Sequence, residues 1–179
     1  MIVKTLHDNW KMCVAGSGDF ISAKVPGSVY HDLLTAGRME DPYYRDNEMK
    51  ALAVMEQDFE YVTYFDVEQE MLACEKVLLH FDGIDTIADL LLNGKALGHV
   101  ENMHRTWEFP VKELLQSTGN ELKVILRSPT KYIREANERE HIPGSGESMA
   151  GFPYLRKAHC MFGWDWGPRL PDAGIWRDV

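Results

Sequence analysis

The residues with the greatest chemical potential lie close together in the last third of the sequence. Three of the five tryptophans fall within residues 164–176, and Trp164-Asp165-Trp166 sits inside the run His159-Cys-Met-Phe-Gly-Trp-Asp-Trp-Gly-Pro168. A carboxylate between two aromatic plates suits a polyhydroxylated ligand. Rings lie against the apolar faces of such a molecule, while the carboxylate accepts hydrogen bonds from vicinal hydroxyls in bidentate fashion. A second reading stays open on these residues alone: both indoles fill the core under a loop, and Asp165 caps that loop's amides. Gly163, Gly167 and Pro168 favour a fixed loop over a regular strand in either case.

Other candidates carry less. His104-Arg105 reads as loop restraint or an Arg–carboxylate pair. The seven histidines show no HxxxH or HExxH spacing, which speaks against a zinc site. Ser145 lies between Gly144 and Gly146, but the full GxSxG pattern is missing and a flexible loop is the simpler expectation. Glu138 and Glu140 read as a solvated helix face, and no glycine-rich phosphate loop is present.

The elements that must position these residues are mostly strands. Period-two alternation puts Val77, Leu79 and Phe81 on one face of residues 77–82, and Leu122, Val124 and Leu126 on one face of residues 120–127. Residues 59–67 form another β-type run. Residues 86–92 and 95–100 flank Asn93-Gly94, a dipeptide suited to a type I′ hairpin turn. Short helices are expected at residues 29–36, with Ser28 as N-cap and Gly37 just beyond the end, and at residues 130–139, opened by Pro129. Residues 111–115 suit a single turn. The pattern predicts a mainly β fold, a β-sandwich or jelly roll with short helices, built as one domain on one hydrophobic core.

Composition narrows the function classes. Of 179 residues, 45% are hydrophobic and 26% charged, which fits a globular chain. With 19 Lys+Arg against 28 Asp+Glu the net charge is −9, and the basic residues are scattered, so nucleic acid is not the expected partner. The apolar run at residues 87–92 is interrupted by Asp89 and far shorter than the roughly 20 residues a membrane span needs. Residues 1–10 lack the apolar stretch of a signal peptide. Cys13, Cys74 and Cys160 form neither a disulfide framework nor a zinc set, and they suit a reducing cytoplasm.

Several motifs follow one another in a telling order: Val25-Pro-Gly-Ser-Val29, Asp41-Pro-Tyr-Tyr44 with Asn47-Glu48, Phe81-Asp-Gly-Ile-Asp-Thr86, Asn93-Gly94, Asn102-Met-His-Arg105, Gly163-Trp-Asp-Trp-Gly-Pro168 and Gly174-Ile-Trp176. Together they resemble the N-terminal domain of the β-mannosidases of glycoside hydrolase family 2, across essentially all of residues 1–179. The middle motifs are similar to those of the family's sugar-binding domain in general. Trp164-Asp165-Trp166-Gly-Pro168 is the part that points to the β-mannosidase branch.

The resemblance implies a galactose-binding-domain-like jelly roll. It also implies an immunoglobulin-like domain and a (β/α)8 barrel elsewhere in the same chain, the barrel holding two catalytic glutamates. A barrel needs about 250 residues, so the 179 residues here are expected to be an N-terminal fragment, its last strand cut at Trp176-Arg-Asp-Val179. Such a fragment would contain no catalytic residue, and no cofactor is expected; no acidic cluster demands a metal, though a structural cation held by loop carbonyls stays open as a reading. By the same resemblance Asp165 would touch hydroxyls of the terminal sugar of β-mannosides or manno-oligosaccharides. Trp164 and Trp166 would shape the wall, with Asn47 and Glu48 on the active-site side. The parent chemistry would be retaining hydrolysis through an acid and a nucleophilic carboxylate about 5–5.5 Å apart. Ala53 and Phe59 stand where relatives tend to carry Trp, so the neighbouring segment is expected to pack differently or to read the sugar less tightly. Competing readings are a free-standing carbohydrate-binding module, the same domain of a β-galactosidase or β-glucuronidase, and a purely bracing domain with an exposed apolar patch.

Overall fold

A computed structural model describes residues 2–165 and 167–179. The alternating runs become strands because each has one face to bury. β1 (Lys11–Val14), β2 (Ile21–Ser22), β3 (Phe59–Phe65), β5 (Ile87–Leu92), β6 (Lys95–Glu101) and β8 (Asn120–Leu126) form an antiparallel sheet in the order β2-β1-β3-β8-β5-β6. β4 (Leu78–Phe81) and β7 (Trp107–Pro110) pair antiparallel in a second, smaller sheet. Leu122, Val124 and Leu126 of β8 are buried in one cluster with Leu79 and Phe81 of β4, and with Leu90, Leu92, Trp10 and Tyr61. The architecture is the expected jelly-roll β-sandwich with short helices.

The second layer is widened by chain that is not regular strand. Asp85 and Gly174 exchange backbone hydrogen bonds, the Asp82 amide donates to Asp178, the Gly27 amide to Ile175 and the Leu6 amide to Val179. Local signals act as the sequence suggests. Asn93 (φ 52°) and Gly94 (φ 74°) make the β5–β6 turn. Ser28 caps α1 (Val29–Thr35), and Gly37 follows it at φ 66°. Ser128 caps α4 (Pro129–Arg139), accepting from the Lys131 amide at 3.0 Å. The turn at residues 111–115 is a short 3-10 helix, Lys112–Leu114.

Three features depart from expectation. α2 (Asn47–Val54) and α3 (Gln69–Leu72) are helices without a clear apolar stripe: α2 buries only Asn47 and Ala51, and α3 buries nothing. Next, a satellite cluster of Ile87, Ile133, Leu155 and Phe162 joins the main core, where a single core was expected. Ile133 and Ala136 are buried one turn apart on α4, and Ile133 packs in that cluster against Ile87 of β5. Finally, Arg105 pairs with no carboxylate among the described residues; it lies over the Trp107 ring at 4.6 Å.

Candidate functional site

One end of the sandwich collects the strand and helix ends nearest to Gly163, Trp164 and Asp165. β3 starts there, β8 ends there and β5 starts there, since Leu126 faces both Phe59 and Ala88. α2 leads into β3 and α4 leaves β8, and the two are tied together. The hydroxyls of Ser128 and Thr130 donate to the Met55 carbonyl at 2.5 and 2.7 Å. From below, the Tyr30 hydroxyl donates to the Ala51 carbonyl at 2.7 Å.

Trp164 and Asp165 lie at the tip of a hairpin on this end. Its base is closed by the Leu170 amide donating to the Met161 carbonyl at 2.9 Å, by a bridge between Phe162 and Arg169, and by a bridge between Gly163 and Ser148. Phe162 is wholly buried in the satellite cluster and anchors the base. Above it the chain turns outward. Trp164 is 48% exposed and adopts φ 90°, unusual for a bulky residue. Asp165 is exposed, and its carboxylate makes no hydrogen bond or ion pair among the described residues. Trp164 therefore does not fill the core, and Asp165 does not cap the loop, as one of the two readings required. Trp166 lies outside the described residues.

Gly163 is needed at its position: at φ 96°, a Cβ there would sit 2.6 Å from Cγ of Arg169. Arg169 also reaches across to α2. Its amide and its Nε donate to Oε1 of Glu48 at 3.1 and 2.8 Å. Burial alone would raise the Glu48 carboxyl, but the Arg169 bonds outweigh it and hold the group below its ordinary value. Of the residues singled out in the sequence, Glu48 is thus brought to the hairpin. Asn47 beside it turns inward, 7% exposed, and donates to the Asp41 carbonyl at 3.0 Å. The lead-in and first turn of α2 leave Tyr43, Tyr44 and Met49 more than half exposed. Ala53 is exposed on α2, whereas Phe59 is a core residue.

Beneath the hairpin lies a charged group of residues that no local pattern announced. Lys157 is buried and donates to the Asp85 carboxylate and, at 2.6 Å, to the Asp172 carbonyl. The Asp172 carboxylate accepts from the amides of Tyr30 at 3.0 Å and Ala173 at 2.8 Å. Burial pushes the Asp172 carboxyl up to about 6, against the opposing pull of those hydrogen bonds and of Lys157. Arg169, Lys157 and Asp172 were not anticipated, because an isolated charged residue in a loop carries no sequence signal of its partner.

A cavity of about 380 Å³ is lined by residues such as Thr5, Asn9 and Tyr64, and another of about 300 Å³ by Glu101, Trp107, Tyr132 and Tyr154. Neither includes residues 163–169. Among the described residues no group of three His, Cys, Asp or Glu side chains could hold a metal ion. No described helix is long and apolar enough to cross a membrane.

The family described as "Glycosyl hydrolase 2 galactose-binding domain-like" matches residues 10–177. A beta-mannosidase of Bos taurus is 33% identical over 98% of this chain and is covered over 21% of its own length. The crystal structure of a beta-D-mannosidase from Dictyoglomus thermophilum superposes on 100% of the chain with a TM-score of 0.94 at 38% identity, and 22% of it is covered. An exo-chitosanase from Amycolatopsis orientalis matches 99% of the chain with a TM-score of 0.69 at 16% identity, a likeness of fold alone, and 20% of it is covered. The chain thus spans about a fifth of the length of each of these proteins.

Proposed function

The chain belongs to the glycosyl hydrolase 2 galactose-binding-domain-like family, and from that premise we propose that residues 1–179 form the non-catalytic N-terminal domain of a retaining β-mannosidase. The whole protein would remove terminal, non-reducing β-D-mannose from β-mannosides or manno-oligosaccharides. The acid and nucleophile belong to a barrel elsewhere in the longer chain, which this domain braces. The exposed Tyr43, Tyr44 and Met49 suit such a packing role. Three cysteines that form no disulfide suit a cytoplasmic protein.

The observation that carries the reading is an exposed Asp165 without a hydrogen-bond or ion-pair partner among the described residues, presented beside an exposed Trp164 on an anchored hairpin. Asp165 accepts hydrogen bonds from vicinal hydroxyls of the terminal mannose. Trp164 and Trp166 form the wall, and Asn47 and Glu48 lie at the rim. Holding the sugar in register converts binding energy into orientation at the anomeric carbon, which lowers the barrier to a step performed by residues of another domain. Half a pocket on this chain is what such a division of labour requires.

The test is release of nitrophenol from 4-nitrophenyl β-mannoside. The full-length protein turns it over in preference to the β-galactoside and β-glucuronide, and Asp165→Asn lowers kcat/KM by about 100-fold. The 179-residue chain alone releases nothing. Turnover by the pure isolated chain, or full activity of the Asp165→Asn protein, would overturn the proposal.

A further inference from the structure

Glu48 and Arg169 are 121 residues apart in sequence and meet at the base of the hairpin. We infer that they are a pair of positioning residues: Glu48 fixes Arg169, and Arg169 fixes where Trp164 and Asp165 stand. The inference rests on the reading of residues 164–166 as part of the sugar pocket.

The geometry runs in one chain of contacts. α2 is fastened to the body through Ala51 and Met55. Its first turn presents Glu48, and one oxygen of that carboxylate accepts both the backbone amide and the Nε of Arg169. Arg169 forms the outgoing side of the hairpin base opposite Phe162, and its aliphatic stem lies against Gly163 on the incoming side. A single side chain therefore holds both roots of the tip. The Glu48 and Arg169 side chains are 25% and 44% exposed, so the pair adds little to global stability. Its effect falls on the tip, where a displacement of about 1 Å can cost on the order of 100-fold in rate. The other oxygen of Glu48 makes no hydrogen bond among the described residues, which leaves room for a direct sugar contact as the competing role.

A double-mutant cycle in the full-length protein separates the two. Glu48→Gln and Arg169→Gln should each lower kcat/KM for a β-mannoside about tenfold, with unfolding midpoints within about 2 °C of wild type. The double variant should be no worse than the poorer single one. Arg169→Lys, which keeps the charge and the backbone bond, should recover part of the loss. Hydrogen–deuterium exchange of residues 161–170 should rise equally in both single variants and no further in the double. Losses that multiply in the double variant, or unchanged exchange in residues 161–170, would overturn the inference. If the wild-type protein shows no mannoside turnover, the functional proposal falls and the exchange measurement alone decides the pair. If Glu48→Gln does not fold, Arg169→Gln and Arg169→Lys give the same reading by activity and exchange.

Discussion

Lys157 and Asp85 form a buried ion pair beneath the hairpin, their side chains 0% and 5% exposed. The pair joins the 155–157 segment to the turn that leads into β5, and through the Asp172 carbonyl it also holds the chain that returns from the tip.

Replacing Lys157 by Met should leave the Asp85 carboxylate buried without its partner. The expected loss is about 3–5 kcal/mol, read as a fall in the urea midpoint at constant slope. Asp85→Asn combined with Lys157→Met should lose less than Lys157→Met alone, because no charge is then stranded. A near-neutral Lys157→Met would show that water reaches the pair.

Asp172 gives the fold a pH dependence of unusual sign. Its carboxyl stands at about 6 in the folded chain against an ordinary 3.8, so the native state binds the proton more tightly than the unfolded state. Its contribution to stability is fully present below about pH 4 and is lost as pH rises through about 6, an effect of order 3 kcal/mol. Glu48 and Asp89, both held below their ordinary values, pull the other way and lose their contribution as pH falls. The difference in stability between wild type and Asp172→Asn, measured by urea titration from pH 4 to 7, isolates the Asp172 slope. A difference independent of pH would refute it.

The two glycines flanking the tip should respond differently to alanine. At Gly163 the positive φ and the Arg169 stem both oppose a methyl group, and a loss of roughly 2 kcal/mol is expected. At Gly167 a Cβ meets nothing within 4 Å among the described residues, so Gly167→Ala should stay within about 0.5 kcal/mol of wild type. Thermal melts of the two variants side by side give the comparison.

Trp164 holds an exposed ring on a backbone at φ 90°. Glycine tolerates that conformation, so Trp164→Gly should leave stability within about 1 kcal/mol while substrate affinity falls roughly tenfold. Melting and steady-state kinetics on the same preparation would show whether the position serves binding or folding.

Much of the sandwich was legible in residue order. β8 alternates strictly because one face is buried, and a single-residue slip would expose Leu122, Val124 and Leu126 together. Asn93-Gly94, Ser28 with Gly37, and Ser128-Pro129 marked a turn and two helices through local backbone chemistry. α2 was not legible, since its stability comes from Tyr30, Ser128 and Thr130 reaching it from other elements.

At the candidate site the same division holds. Glycine and proline around Trp164-Asp165 announced a loop, and the residue types announced what it could bind. Whether the indole faces core or solvent could not be read there, because both fates use the same residues. Burying Phe162 in the satellite cluster while Gly163 turns the chain outward decided it for Trp164. The pairings of Glu48 with Arg169 and of Lys157 with Asp85 span 121 and 72 residues. Periodicity and caps are short-range and are written in neighbouring residues. A hydrogen bond between distant segments forms only when packing has brought them within about 3 Å, and that is a property of the folded chain.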